Sequence, residues 1–327
     1  MIRGLAATAV VYWHAGGYEN EYISALNVPG RTAVWLFFGI SGYVIAYGFV
    51  SRKYLLNIRD LRYFYLNRFL RIYPLFLSLT LISWLTVSVV KGYNPISVKD
   101  ILPQFLAVQF DQAYLLNGVF WTLGIEIHFY LMAPLLVLPL LLDKKVAVIY
   151  SALAIYLTNL YAYSYAVDNL GWSYDGRNII SNLPHFIVGM TACRLVNDLD
   201  REITKTLLYS VVASALALLL VTNWLYHELS GIYWSLWGIV LVDVLIALLV
   251  VIHHFLGEHD VSGNLWVRLL SYLGVLSYGI YALHGYLINY FLLLQYHATL
   301  LLILSTLLAL IFYRLIERPA LSFKKYG

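Results

Sequence analysis

Charged residues are scarce in this chain of 327 residues. Only 12% are Asp, Glu, Lys or Arg, where a soluble domain carries about 25%. So few charges do not cover a water-exposed surface, and with 61% hydrophobic residues the missing polar surface is best accounted for by lipid. Cysteine occurs once, at Cys193, which excludes an intrachain disulfide framework and a multi-cysteine metal site. It lies in an apolar run and reads as a small buried or lipid-facing residue. No long Pro/Gly/Ser-rich stretch, run of like charge or low-complexity segment divides the chain, so 1–327 reads as a single membrane domain. The net charge is only +4 and the basic residues are spread over short loops, so no nucleic-acid partner is expected. The sequence also lacks a Gly-rich phosphate loop, a His/Asp/Glu cluster at metal-ligand spacing and a G-x-S-x-G elbow. Ser41, in Gly39-Ile40-Ser41-Gly42, does not match that elbow. Neither a metal nor a bound cofactor is expected.

What is present is a series of long apolar runs. A spanning helix needs about 20 of them in a row, and ten runs qualify: 2–17, 32–50, 70–90, 118–141, 146–164, 179–196, 206–225, 232–252, 269–293 and 299–316. The run 101–110 is too short and is expected at the interface or re-entrant. With the N-terminus in the cytoplasm, strict alternation puts seventeen Lys and Arg inside and only Arg31, Lys91, Lys99 and Arg177 outside, as the positive-inside rule requires. The expected fold is an all-α, polytopic transmembrane bundle of about ten helices with both termini cytoplasmic. The first run resembles a signal peptide in length, but His14 interrupts it and no convincing small-residue cleavage site follows.

Ionisable groups within such runs cost at least a few kcal/mol each and call for a function. They are Arg3 and His14 in the first run, Arg68 and Arg71 entering the third, Glu126 and His128 in the fourth, His185 in the sixth, Asp243 in the eighth and His284 in the ninth. Arg3 and His14 are eleven residues apart, which on a helix is three turns plus about 20°, with a rise of ~16 Å. One face therefore presents a cation at the cytoplasmic end and an imidazole in the outer half. The same spacing suits a snorkelling arginine and a histidine hydrogen-bonded between helices. Arg68 and Arg71 share a face at i, i+3. By itself that pair is better read as positive-inside anchoring; the functional alternative is an anion clamp, because paired guanidinium forks match phosphates. Glu126 needs a partner from another helix, His14 or an arginine, because His128 lies about 200° away. Tyr281 and His284 share a face. The 29 tyrosines fit aromatic belts as well as a sugar-binding cavity.

Six blocks taken in order resemble the acyltransferase-3 family of membrane acyltransferases, which modify extracytoplasmic carbohydrates. Arg3-Gly4-Leu5-Ala6 through His14 resembles its opening Arg-(ten residues)-His signature. Phe37-Phe38-Gly39-Ile40-Ser41-Gly42-Tyr43 resembles its F-F-x-I-S-G-F block, and Arg68-Phe69-Leu70-Arg71-Ile72-Tyr73-Pro74 its R-x-x-R-I-x-P block. Phe120-Trp121-Thr122-Leu123-Gly124-Ile125-Glu126, with Phe129-Tyr130-Leu131 and Pro134, resembles its W-S/T-L-x-x-E-x-x-F-Y-L-x-x-P block. Ser277-Tyr278-Gly279-Ile280-Tyr281 with His284 resembles Y-S-I-Y-x-x-H, and Glu317-Arg318-Pro319 the E-x-P ending. There are two departures. The family usually has several residues before its arginine, which leaves a start upstream of Met1 open. Many members also carry an acidic residue or glutamine just after the glutamate, where Ile127 and His128 stand here, and this is expected to bear on substrate choice.

The resemblance implies an acyl-CoA donor, most often acetyl-CoA, bound as substrate, and a carbohydrate or glycolipid acceptor, in the cytoplasmic (inner) membrane of a bacterium. It implies His14 and Glu126 as catalytic residues and Arg3, Arg68 and Arg71 as donor-binding residues. Tyr281, His284 and Ser41 are expected at the oxyanion or acceptor. Some relatives carry a soluble esterase-like domain; none is recognised in this sequence, so transfer is expected to be completed within the membrane domain. Ten helices with buried ionisable groups also suit a secondary transporter or exporter of a small polar or glycolipid solute. Against that stand the lack of an internal repeat and a basic motif better suited to phosphate. The oligomeric state is left open.

Overall fold

The computed structural model describes residues 1–16, 28–90, 98–106, 116–168, 177–199, 204–229, 231–256, 265–291 and 297–325. Among these, all regular structure is helical. Eight helical stretches are long and apolar enough to cross a membrane, beginning at Gly30, Ile58, Gly118, Lys144, Ile179, Thr206, Leu236 and Ala298, which makes this a multi-pass membrane protein. The other two expected runs also hold helices. α1 (Ile2–His14) has 13 residues, a length of ~20 Å where the hydrocarbon core is ~30 Å thick. The helix over the ninth run, Leu265–Tyr290, has 26 residues. These two helices carry His14 and His284.

The chain forms two compact units, each assembled from separated segments. The first comprises Met1–Gly17, Leu56–Leu131 and Leu270–Gly327, and the second Tyr18–Leu55 and Met132–Leu269.

In the second unit, α2 (Gly30–Val50) packs most extensively against the helix Ile179–Val196. Glycines allow the approach. A Cβ at Gly42 would lie 2.1 Å from the Phe186 carbonyl oxygen, and one at Gly189 would lie 1.9 Å from that of Gly39. Backbones this close gain dispersion contacts that no side chain could supply, which is how helices associate in lipid. Phe38 stacks on Phe186 with ring centroids 4.6 Å apart. Pro184 lacks the N–H that would bond the carbonyl of Ile180, and Thr158 Oγ1 donates to that oxygen instead at 3.0 Å.

In the first unit, α3 (Ile58–Val90) begins twelve residues before the expected start at 70. The cap explains the extension: Asn57 Oδ1 accepts from the backbone N–H of Asp60 at 2.9 Å, and Asn57 Nδ2 donates to the Asp60 carboxylate. Arg68 and Arg71 therefore sit well inside a helix rather than at its mouth. α4 (Val98–Leu106) covers the described part of the short run 101–110; 107–110 lie outside the described residues. A 3-10 turn (Gly118–Phe120) leads into α5 (Trp121–Leu136). Two short helices, α6 (Leu138–Leu142) and α13 (Arg318–Leu321), complete the spanning stretches that begin at Gly118 and Ala298. The remaining long helices are α7 (Lys144–Asp168), α8 (Ile179–Val196), α9 (Lys205–Glu228), α10 (Gly231–Leu256), α11 (Leu265–Tyr290) and α12 (Ala298–Phe312). One π-helical turn, Tyr313–Glu317, joins α12 to α13.

Within each unit, residues assigned to the same membrane face meet. Asn67, beside Arg68, exchanges two hydrogen bonds with the backbone of Lys325, at 2.6 and 3.0 Å. Lys144 and Arg194 converge on the Asp198 carboxylate at 3.3 and 2.6 Å. All of these belong to the cytoplasmic side in the charge-derived topology.

Candidate active site

The first unit gathers seven of the eight site residues expected from sequence. Ser41 is the exception: it is buried in α2, in the second unit.

At the C-terminal end of α1, His14 reaches the surface of the described structure. Its Nδ1 lies 3.0 Å from the backbone carbonyl of Val10, one turn back. A carbonyl oxygen only accepts, so Nδ1 carries the proton and the lone pair of the neutral ring is on Nε2. His284 of α11 is fully buried, with its Nε2 3.3 Å from His14 Nδ1 and ring centroids 5.2 Å apart. α1 and α11 approach closely: a Cβ at Gly4 would lie 2.9 Å from the backbone nitrogen of Gly274.

The segment before α5 holds α11 in place beside that pair. Asn117 is buried and donates from Nδ2 to the carbonyl of Ala282 at 3.0 Å. Gly285 makes room for it, since a Cβ there would lie 2.5 Å from Asn117 Oδ1. Tyr290 donates to the carbonyl of Leu116 at 2.9 Å. Tyr281 donates to the carbonyl of Val119 at 3.1 Å and accepts from Thr122 Oγ1 at 3.0 Å, and its ring stands edge-on to His284 at 5.5 Å. Its hydroxyl proton is thus committed within the protein.

Toward the other end of α1, three arginines and two carboxylates share one electrostatic neighbourhood. Arg3 feels Glu126, Arg71, Tyr130 and Arg68. Glu126 accepts from the Tyr130 hydroxyl, one turn along α5. Its partners thus include an arginine of another helix, while His128 turns away and bonds the carbonyl of Gly124 at 2.6 Å. Arg71 Nη1 lies 3.6 Å from Glu317 Oε2, and its guanidinium is 5.9 Å from the Tyr278 ring. Arg68 has no carboxylate partner among the described residues. It lies over the rings of Phe64 and Tyr130, at 5.6 and 5.7 Å, and its Nε is buried without a hydrogen bond. Three cations against two carboxylates leave an excess positive charge, held by a side chain whose fork can still bind an anion.

Sequence reasoning gave no role to Tyr130, Thr122, Asn117 or Glu317. The i, i+4 spacing of Glu126 and Tyr130 was a usable signal, as was an acid at the end of an apolar run for Glu317. Nothing local marked Asn117 or Thr122. His185 and Asp243, flagged as costly buried groups, pair with each other in the second unit at 2.7 Å. Among the described residues, no three His, Cys, Asp or Glu side chains converge as a metal would require.

No curated protein matches the chain. No solved structure matches it. The model of an acyltransferase domain, that of the acyltransferase-3 family, matches residues 1–314. A match over nearly the whole length makes this multi-pass membrane protein a member of the acyltransferase-3 family.

Proposed function

We propose that this membrane acyltransferase moves an acyl group, acetyl in the first instance, from cytoplasmic acyl-CoA to a hydroxyl of a surface or lipid-linked carbohydrate, in a bacterial cytoplasmic membrane. The observation that carries this reading is the division of α1. One end lies among Arg3, Arg68 and Arg71, and the other presents a histidine whose basic nitrogen is defined by the Val10 carbonyl. The rise between Arg3 and His14 is ~16 Å, comparable with the pantetheine arm that separates the phosphates of the donor from its thioester.

The arginine cluster binds the phosphates, with Arg68 as the first contact because Arg71 already faces Glu317. His14 Nε2 takes the proton of the acceptor hydroxyl as its oxygen attacks the thioester carbon. The tetrahedral intermediate then collapses, the C–S bond breaks, and the proton passes from His14 to the departing sulfur. The products are an ester and a thiol, with no net proton change. Glu126 offsets the charge of Arg3 and keeps the cluster compact rather than touching the reacting atoms.

Purified protein in detergent should release thiol from acetyl-CoA when a carbohydrate acceptor is present. His14→Ala should abolish release while the protein still inserts and folds; wild-type activity in that variant sinks the assignment. Arg68→Ala should raise the KM for acetyl-CoA. A solute that moves only in sealed vesicles, with no covalent product, would point to transport instead. Mass spectrometry of cell-surface glycans with and without the protein identifies the acceptor by its lost acyl mass.

A further inference from the structure

We infer that His284 is a positioning residue for His14: its Nε2 accepts from His14 Nδ1–H, fixing the tautomer and orientation of the reactive ring and stabilising the imidazolium it becomes. This rests on the proposed role of His14, and it replaces the oxyanion role expected of His284 from sequence.

The tautomers follow from the groups around the two rings. His14 Nδ1 faces the Val10 carbonyl at 3.0 Å. If Nδ1 were bare, two lone pairs would oppose each other at that distance, so it carries the proton. That proton is shared with His284 Nε2 at 3.3 Å, and His284 Nε2 must then hold a lone pair. A neutral His284 whose Nε2 holds the lone pair carries its proton on Nδ1, which is buried. The two rings then have a consistent sense: His284 protonated at Nδ1, its Nε2 toward His14 Nδ1–H, and the lone pair of His14 on Nε2.

In this state His284 has no proton to offer an oxyanion from Nε2. It does what a carboxylate does behind many catalytic histidines, but as a neutral acceptor. That suits full burial, where a carboxylate would carry a heavy desolvation cost. The ionisable group acting on His284 through charge is His14. The Tyr281 ring of α11 stands against His284, and its hydroxyl is bonded to Thr122 of α5. Arg3 lies three turns down α1. The Val10 carbonyl and His284 Nε2 both lie within reach of His14 Nδ1.

When His14 Nε2 takes the hydroxyl proton, the positive ring donates from Nδ1 to His284 more strongly than the neutral ring did. Loss of that acceptor should lower kcat about ten- to hundredfold and move the acidic limb of the pH–rate profile to lower pH, because the imidazolium is less stable without it. The test compares His284→Leu with His284→Gln, whose Oε1 can replace the Nε2 acceptor. Thiol release from acetyl-CoA is followed between pH 5 and 9. The expected result is a slowed, acid-shifted Leu variant and a Gln variant near wild type on both counts. Equal losses in Leu and Gln with an unmoved limb indicate packing alone and overturn the inference, as does a Leu variant indistinguishable from wild type.

A second measurement needs no activity. Ring-15N histidine NMR of the intact protein in nanodiscs, assigned with His14 and His284 variants, should find neutral His14 protonated at Nδ1. An Nε2-protonated His14 overturns the inference. Wild-type activity in His14→Ala instead defeats the proposed function and leaves the tautomer result standing on its own.

Discussion

Each unit holds a histidine pair, and the two are built to opposite ends. In the second unit His185 Nδ1 lies 2.7 Å from Asp243 Oδ1, both residues are buried, and the Trp35 ring packs against the imidazole at 4.6 Å. Trp35 is itself held by donating from Nε1 to Asn182 at 3.0 Å. On composition this is the more familiar arrangement for a general base, a carboxylate behind an imidazole. Yet His185 Nε2 and Asp243 Oδ2 are sealed from solvent without a hydrogen bond. In the first unit the partner is a neutral imidazole, but His14 reaches the surface. The difference teaches that a base is defined by access to a reactant before it is defined by its partner. An oriented imidazole with no way in serves instead to hold α2, α8 and α10 together.

Exchanging the lesions breaks this comparison most directly. His14→Ala should cost about 10²–10⁴ in rate with an unchanged unfolding midpoint, while His185→Ala should cost about 3–5 kcal/mol of stability by leaving Asp243 uncompensated. Thermal unfolding in detergent beside thiol release decides it, and loss of activity in His185→Ala at full stability would make the buried pair functional. A second contrast lies within the first unit. Arg71→Ala should destabilise by a similar 3–5 kcal/mol, because Glu317 is 2% exposed and loses its counter-ion. Arg68→Ala should leave the midpoint within about 2 kcal/mol, the most its ring contacts supply.

Glycine replacements probe the two close approaches. Gly42→Ala should cost about 1–3 kcal/mol or more, because its Cβ would meet the Phe186 backbone at 2.1 Å. Gly274→Ala should cost less, since the nearest atom, the Met1 nitrogen, is 3.1 Å away. Equal losses would remove that distinction between the units.

The smallest effect is expected at the surface. Hydrogen bonds from Arg194, Asn197 and Lys144 hold the Asp198 carboxyl down to about 2 from an ordinary 3.8. A lowered folded value means that its contribution is fully present above pH 3.8 and is lost as the pH falls through about 2. Asp198→Asn should therefore match wild type at low pH and differ slightly at neutral pH, which an unfolding series across that range would detect.

Much of this was legible in the sequence because each signal was local. Apolar runs of spanning length reported the helices, and the Arg3–His14 spacing placed two groups on one helix face. The early start of α3 was in principle legible too, through Asn57 and Asp60, but the charges between 58 and 71 masked it as a loop. The roles of Tyr281 and His284 were not legible. The Tyr281 hydroxyl is committed by the carbonyl of Val119 and His284 Nε2 lies against His14 from a distant helix, and neither partner is marked along the sequence.

By itself, then, the sequence determined an all-helical membrane protein and the residue types available for acyl transfer. These follow from transfer free energies and helical periodicity, which depend on neighbours along the chain. Only the tertiary structure decided which arginine faces Glu317 and which stays open, and which histidine reaches the surface. Those outcomes depend on distances of about 3 Å between groups far apart in the chain, where hydrogen bonds and ion pairs form or fail.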